Sequence, residues 1–212
     1  MMPLLYATTN PGKVMEVRKH LAPHGIALVS PAQIGLDIEV DETGSTLAEN
    51  ATLKAQAYLR HAPGRVVMAD DTGIEIDALG GEPGIHVRRW KDRQTPMRDA
   101  AIIDYCLHRM HGIPQGQRQA QFRTVIAVGS PGGAIECFDG LLRGDIRPSA
   151  APLKYAGMPF ETLFYISEWD KLLGDIHDLS PEEKSQHGYF THRERALQNA
   201  LPRLRELLAS GI

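Results

Sequence analysis

The chain has 212 residues, a formal net charge of −3 at pH 7 and 42 % hydrophobic residues, which is the composition of a folded globular protein. A chain of this charge has no broad basic field for a nucleic-acid backbone, so we expect local phosphate binding and no nucleic acid polymer as partner. No apolar run approaches the ~20 residues that span a bilayer, and the first residues lack the basic region of a signal peptide. We therefore expect no membrane partner and a cytoplasmic location.

The predicted elements alternate between strands and helices. In chain order, the patterns predict a strand over 4–7, a helix over 13–21, a helix over 46–61, strands over 65–69 and 74–79, a helix from Thr95-Pro96 to just before Gly112, strands over 120–128 and 134–146, and two helices opening at Ser180-Pro181 and at Thr191. Turns are predicted at Thr72-Gly73, at 130–133 and at Asp139-Gly140, and a kink at Pro202. The interleaving favours an α/β fold around a mixed sheet.

The first candidate site lies where the strand over 4–7 gives way to a helix. Asn10 is a good N-cap and Pro11 suits the first helical position, so the free N–H groups of that turn would face a ligand. Lys13 adds a full positive charge, which suits a phosphate oxygen. The segment is not a Walker loop, because Ala7 and Val14 stand where that motif needs glycine and a hydroxyl. A plain strand-to-helix turn with an exposed lysine is the alternative.

Two adjacent carboxylates, Asp70 and Asp71, end a run that should be buried. Burying carboxylates is costly unless a cation compensates, and a divalent metal is the usual one. Alternation along a strand would send the two side chains to opposite faces. A solvated turn is the alternative interpretation.

The stretch 41–55 adds further carboxylates and a second lysine. Glu42 precedes the second helix, while Asn50 and Lys54 are four residues apart and share one face of it. An ordinary amphipathic helix would give the same pattern. Taken together, the three segments offer a helix end, two lysines and enough carboxylates for Mg²⁺, the equipment for a nucleoside triphosphate. Their convergence in space is an assumption at this stage.

Five ordered motifs carry a family resemblance across nearly the whole chain. They are ATTNPGK (7–13), ETGSTLAENATLKA (42–55), ADDTGIEIDALGGEPGIHVRRW (69–90), PEEKS (181–185) and THRERAL (191–197). They resemble the motifs of the inosine/xanthosine triphosphate pyrophosphatases, in which the first reads approximately TGNxxK, the third ADDSGLxVDALxGxPG and the last SHRxxAL. Several motifs agreeing in order are far more specific than any one alone.

The resemblance implies a Mg²⁺-dependent hydrolase that splits a nucleoside triphosphate into a monophosphate and pyrophosphate. It also implies a homodimer and a single domain over 1–212, with an elongated mixed β-sheet flanked by helices and two lobes around a central nucleotide-binding cleft. The implied metal ligands are Glu42 and Asp71, with Asp71 as general base and Asp70 as its fallback. The implied substrate-binding residues are Thr8, Thr9, Asn10, Lys13, Asn50, Lys54, Thr72, Phe160, Glu161, Lys184, His192 and Arg193.

The last residues of that set fall on the base side of the substrate in the family. A 6-keto purine presents an oxygen acceptor where adenine presents an amino donor, so donors such as Lys184, His192 and Arg193 would favour the former. Two departures affect this part. The family's GFGYDP is GMPFETLF (157–164) here, and QHGYF (186–190) is an insertion before the last motif. A shifted preference, for a modified or non-purine nucleotide, is an alternative.

Two further functions stay open from sequence. One is a nucleotide-binding protein with little turnover, which the retained carboxylates Glu42, Asp70 and Asp71 argue against. The other is a pyrophosphatase of similar architecture, such as the septum-formation (Maf-like) group, acting on pyrimidine or modified nucleotides; the His192-Arg193 pair argues against it.

Overall fold

The computed structural model describes residues 3–210. Its strands are β1 Leu4–Tyr6, β2 Leu28–Val29, β3 Val67–Ile76, β4 Pro83–Gly84, β5 Gln119–Gly129, β6 Glu136–Ile146, β7 Phe164–Ile166 and β8 Lys171–Leu172. Its α-helices are α1 Pro11–Leu21, α2 Leu47–His61, α3 Asp99–Arg109, α4 Leu173–Ile176, α5 Pro181–His187 and α6 His192–Ala209. Short 3₁₀-helices lie at Ala22–His24, Pro31–Ile34, Asp77–Leu79, Val87–Arg89, Gln115–Gln117 and Pro159–Thr162.

The strands form one mixed sheet. Among residues 3–210 the order is β2-β1-β3-β5-β6-β7-β8, with β4 paired to β3. β1 runs parallel to β2 and β3, whereas β4 is antiparallel to β3 and β7 is antiparallel to β6 and β8. This confirms the α/β fold with a mixed sheet. Tyr6 is in register with Met68, so β3 carries Asp70 and Asp71 past the carboxyl end of β1, where α1 begins.

The chain divides into two compact units. The first unit comprises residues 1–72, 124–140 and 192–212, and the second comprises 73–123 and 141–191. The first has a core in which β1, β3 and β5 pack with the apolar faces of α1 and α6. The second has its own core, built around α3 and the aromatic residues Trp90, Phe122, Phe160, Phe164 and Trp169.

The predicted turns at Thr72-Gly73 and Asp139-Gly140 are wrong. Both pairs lie inside long strands, β3 and β6. A Cβ at position 73 would meet the carbonyl oxygen of Gly84 at 2.7 Å, and a Cβ at 140 would meet the backbone of His192 and Ala196. These glycines allow a neighbouring backbone to approach closely. In the sequence, a glycine needed for such a contact is easily mistaken for a turn residue.

The helix predicted from Thr95-Pro96 begins later, at Asp99. The Oδ1 of Asp92 accepts hydrogen bonds from the backbone N–H groups of Gln94 and Thr95, at 2.8 and 2.7 Å. This local turn competes with helix formation. The other predicted helix starts are confirmed to within two residues, and α6 continues through Pro202. Within residues 3–210 no helix has both the length and the apolar character needed to cross a bilayer.

Candidate functional site

The turn after β1 is held by its own side chains. Asn10 caps α1, its Oδ1 accepting from the N–H groups of Gly12 at 3.0 Å and Lys13 at 3.3 Å, and Pro11 occupies the first turn. The hydroxyl of Thr8 accepts from the N–H of Asn10 at 3.2 Å, while Thr9 is exposed. The positive end of the helix dipole and the ammonium of Lys13 therefore lie at one place.

Asp70 is the centre of a buried ion-pair network. Its Oδ2 lies 3.0 Å from the Nζ of Lys13 and 3.1 Å from the Nε of Arg193. The hydroxyl of Tyr6 donates to Oδ1 at 2.8 Å. Arg193 also donates through Nη1 to the buried carboxylate of Glu16. Four charges of alternating sign thus run from Lys13 through Asp70 and Arg193 to Glu16, and α1 supplies both ends.

Burial and pairing act in opposite directions on these groups. Burial disfavours the charge of Asp70, but Lys13 and Arg193 outweigh it and hold the pKa of Asp70 far below its usual range. Burial lowers the pKa of Lys13, and Asp70 offsets this only in part. Burial, together with Asp70, raises the pKa of Tyr6 well above its usual value. Asp70 is therefore ionised and held by fixed cations.

Asp71 belongs to a second cluster, which it forms with Asn50 and Lys54 of α2 and with Glu42. Its Oδ2 accepts from the Nδ2 of Asn50 at 3.2 Å, and its Oδ1 lies 3.4 Å from the Nζ of Lys54. Lys54 also lies 3.4 Å from the Oε2 of Glu42. Asn50 accepts from the N–H of Gly44 at 2.8 Å, which fixes its amide so that the NH₂ group faces Asp71. The loop before α2 is thereby tied to the carboxylate.

The ammonium of Lys54 is shared between the two carboxylates of this second cluster and balances one of their two negative charges. Burial opposes its charge, but Asp71, Asp70 and Glu42 outweigh burial and raise the pKa of Lys54. Glu42 is the more accessible carboxylate, with 37 % of its side chain exposed against 11 % for Asp71. The cluster is thus partly open to solvent on the side of Glu42.

A chain of hydroxyl groups leads from Asp70 to His192. The Oγ1 of Thr72 lies 3.3 Å from the Oδ2 of Asp70, accepts from the Nη2 of Arg193 at 3.1 Å and lies 2.7 Å from the Oγ1 of Thr124. Thr124 lies in turn 2.6 Å from the Nδ1 of His192. Both Thr124 and His192 are buried.

The first unit thus brings together most of the site residues predicted from the sequence. Direct contacts connect Lys13 with Asp70, Lys54 with Glu42 and Asp71, and Arg193 with Asp70 and Thr72. The convergence assumed from the sequence is therefore present in the structure. The two aspartates face different partners, as strand alternation predicted.

The remaining predicted residues belong to the second unit. Phe160 is 2 % exposed, with its ring centroid 5.9 Å from that of Trp90 and 6.2 Å from that of Phe122. Glu161 is buried beside His177, whose Nε2 lies 2.6 Å from Oε1. Phe160 and Glu161 lie in a short 3₁₀-helix. Phe160 is a core side chain here, so a base could stack on it only after this segment moved.

Lys184 is likewise buried within the second unit. It lies in α5, which ends at His187 with Gly188 as its C-cap. The N–H groups of Gly188 and Tyr189 both donate to the carbonyl of Lys184. The segment predicted as an insertion therefore begins in the last turn of α5 and continues through its C-cap.

Sequence reasoning missed three residues that hold the site together: Tyr6, Glu16 and Thr124. Glu16 offered a signal, because it follows Lys13 by three residues on α1 and stands beside the inward-facing Val17. A charged residue at such a position needs a buried partner. Tyr6 and Thr124 lie in strands and gave no comparable signal.

The carboxylates of Glu42 and Asp71 suit a magnesium ion. Within residues 3–210 no three His, Cys, Asp or Glu side chains are grouped so that they could hold a metal by themselves. Mg²⁺ is usually bound through one or two carboxylates, with waters and substrate phosphates completing the shell. Glu42 and Asp71 supply two carboxylates that already share one cation, Lys54. Their chemistry therefore fits a metal that arrives with a polyphosphate.

Comparison with known proteins decides the family. The model of the Ham1 family matches residues 4–203. The chain belongs to the Ham1 family. It is 37 % identical over 194 residues to a dITP/XTP pyrophosphatase of Bacillus subtilis, covering 92 % of each chain. It is 39 % identical over 211 residues to a dITP/XTP pyrophosphatase of Symbiobacterium thermophilum, covering 98 % of each.

Solved structures of Ham1 proteins have the same fold. A Ham1 protein from Staphylococcus aureus superposes with a TM-score of 0.69 at 29 % identity, covering 99 % of both chains. A nucleoside-triphosphatase / dITP/XTP pyrophosphatase from Mycobacterium abscessus has a TM-score of 0.65 at 31 % identity, covering 95 % of this chain and all of the other. The resemblance stated from the motifs is confirmed at the level of family and fold.

Proposed function

We propose that this Ham1 protein hydrolyses nucleoside triphosphates of 6-keto purines such as dITP and XTP to the monophosphate and pyrophosphate. One observation carries the proposal. Lys54 contacts both Glu42 and Asp71, while Lys13, at the start of α1, forms an ion pair with Asp70, the residue before Asp71 in β3. Two lysines and a helix N-terminus can hold a polyphosphate, and the names of the relatives supply the substrate class.

In the proposed mechanism the phosphates bind at the α1 turn, through Thr8, Thr9, Asn10 and Lys13, with Lys54 assisting from α2. Glu42 and Asp71 would hold Mg²⁺, which would neutralise charge on the phosphates when bound. Asp71 accepts the proton of the attacking water. The water oxygen bonds to the α-phosphorus, the bond from that phosphorus to the bridging oxygen breaks, and pyrophosphate leaves.

The partners of the two aspartates support Asp71 as the base. Asp70 accepts from Tyr6 and is paired with Lys13 and Arg193, and its lowered pKa makes it a poor proton acceptor. Asp71 has a hydrogen bond from Asn50 and a more distant lysine. We assign Asp70 the task of fixing Lys13 and Arg193 in place.

The remaining sequence predictions belong to this proposal. Base recognition is assigned to His192 and Arg193, and the roles predicted from the sequence for Lys184, Phe160 and Glu161 are kept as part of the same proposal. Because Arg193 already binds Asp70, Glu16 and Thr72, a contact with the base would have to compete with these partners. The homodimer, the cytoplasmic location and the single two-lobed domain are part of the same proposal.

A product assay with a substrate panel tests the function. Purified protein is incubated with ITP, XTP, dITP, GTP, ATP and pyrimidine triphosphates in the presence of Mg²⁺, and products are separated by ion exchange. We expect pyrophosphate and monophosphate, fastest from ITP, XTP and dITP, the substrate class in the names of the relatives. Orthophosphate as the product would overturn the reaction type, and a pyrimidine preference would overturn the substrate class. Binding without turnover would favour a nucleotide-binding protein.

A further inference from the structure

Thr124 links the ion-pair network to His192 and has no role in the function proposed above. Its hydroxyl lies 2.7 Å from that of Thr72 and 2.6 Å from the Nδ1 of His192, and its side chain is fully buried. Thr72 in turn lies 3.3 Å from Asp70. Because Thr124, Asp70 and His192 are buried and Thr72 is half-buried, the hydroxyl of Thr124 must find its hydrogen-bond partners within the protein.

The direction of each hydrogen bond follows from what each group is able to donate. The guanidinium of Arg193 only donates, so its contact with Thr72 uses one lone pair of that hydroxyl. Asp70, held between Lys13 and Arg193, only accepts, so its contact with Thr72 requires the single proton of Thr72. The 2.7 Å contact with Thr124 is then made only if Thr124 donates to Thr72.

The same reasoning reaches the imidazole ring. Once the proton of Thr124 is given to Thr72, the contact with His192 requires Nδ1 to be the donor. In the reverse arrangement Thr72 donates to Thr124, and the carboxylate oxygen of Asp70 faces a hydroxyl lone pair at 3.3 Å. A single arrangement therefore satisfies all four contacts.

We propose that Thr124 is a positioning residue that fixes the proton of neutral His192 on Nδ1. The Nε2 atom of the neutral ring then carries a lone pair and is an acceptor. This differs from the sequence interpretation, which treated His192 as a donor to the 6-oxygen of the base.

The consequence for base selection rests on the proposed function, in which His192 contacts the base. A 6-keto purine carries a hydrogen on N1, whereas the N1 of adenine is an acceptor. An accepting Nε2 would take a hydrogen bond from the N1–H of a 6-keto purine. With adenine it would face the lone pair of N1, which would leave a buried polar atom without a hydrogen bond. Thr124 would thus contribute to discrimination without touching the substrate.

Nitrogen NMR of the nucleotide-free protein tests the tautomer directly. Long-range proton–nitrogen spectra of ¹⁵N-histidine-labelled protein, recorded at about pH 8 where an ordinary histidine is neutral, distinguish Nδ1–H from Nε2–H. His192 is assigned from the signals missing in His192→Gln. We expect Nδ1–H in the unmodified chain and in Thr124→Ser, which keeps the hydroxyl. We expect a shift of about tenfold towards Nε2–H in Thr124→Val, the size of one lost hydrogen bond.

Several outcomes would overturn the proposal. An Nε2–H or doubly protonated ring in the unmodified chain would do so, and so would an unchanged tautomer in Thr124→Val. Thr124→Ala removes the same hydroxyl and gives a second measurement where valine prevents folding. Because these spectra contain no nucleotide, they do not depend on the proposed function.

A kinetic comparison then connects the tautomer to selection. The ratio of kcat/KM for dITP to that for dATP should fall about tenfold in Thr124→Val and recover in Thr124→Ser. If the tautomer shifts and this ratio does not, the assignment of His192 to the base is wrong while the role of Thr124 at the ring stands. An unmodified protein without dITP hydrolysis would refute the proposed function alone.

Discussion

Arg193 and Asp70, 123 positions apart in the chain, form a buried ion pair in which Nε lies 3.1 Å from Oδ2. The pair joins the start of α6 to the middle of β3. Lys13 and Glu16 extend it from α1, so three elements of the first unit are fixed to one another by charge as well as by apolar packing. Removing one member would leave a buried charge without compensation, which is more costly than losing the pair as a whole.

Asp70→Asn is expected to destabilise the fold by about 3–5 kcal/mol, because Lys13 and Arg193 lose their shared anion. Urea unfolding measures this free energy. Asp104→Asn, at an exposed position of α3, is the matched control and should change stability by less than about 0.5 kcal/mol. Equal effects of the two substitutions would contradict the buried network.

Asp71→Asn is expected to lower kcat by about 10²–10⁴-fold, because an amide cannot take the proton of the attacking water. Unfolding experiments should show a far smaller loss of stability than for Asp70→Asn, since Asp71 has one amide donor and a lysine at 3.4 Å. Near-normal turnover in Asp71→Asn would reassign the base, and a large loss of stability would assign Asp71 a structural role instead.

Stability should fall in acid because of Asp70. Its pKa is lowered in the folded state, so its contribution is complete well above the unfolded value of about 3.9 and is lost progressively as the pH falls towards the much lower folded value. The free energy of unfolding should therefore decline from about pH 5 towards pH 3 in the unmodified chain. In Asp70→Asn this part of the decline should be absent. Parallel pH profiles for the two proteins would refute the assignment.

Glu16→Gln is expected to cost about 3–5 kcal/mol of stability, because Arg193 loses a buried partner that no sequence motif identified. Glu39→Gln removes a carboxylate from an exposed position and serves as the control. Both variants are compared by thermal and urea unfolding. If the two melt alike, Glu16 does not anchor Arg193.

Turnover should require a divalent metal bound with the substrate. Chelation should abolish hydrolysis and added Mg²⁺ should restore it. Glu42→Gln should raise the Mg²⁺ concentration for half-maximal rate by about tenfold or more, whereas Glu39→Gln should leave it unchanged. The rate is measured at saturating nucleotide over a Mg²⁺ titration. A Glu42→Gln titration curve that coincides with that of the unmodified chain would remove Glu42 from the metal site.

Much of the local structure follows from the sequence. Asn10 and Pro11 specify the start of α1, and the Thr46–Glu49 capping box specifies the start of α2, because each device is a hydrogen bond between residues two or three positions apart. The family motifs likewise identified Glu42, Lys54 and Asp71, which the structure brings into contact.

Only the tertiary structure decided which residues meet across long separations. Gly73 lies inside β3 because of its neighbour in β4, Glu16 has Arg193 as its partner, and the direction of the hydrogen bonds through Thr124 depends on the charge of Asp70. Chain neighbours carry no information about such contacts, since they are set by packing between elements far apart in sequence. The sequence thus determined the family and the chemical groups, while packing determined which of these groups contact one another and in which direction their hydrogen bonds run.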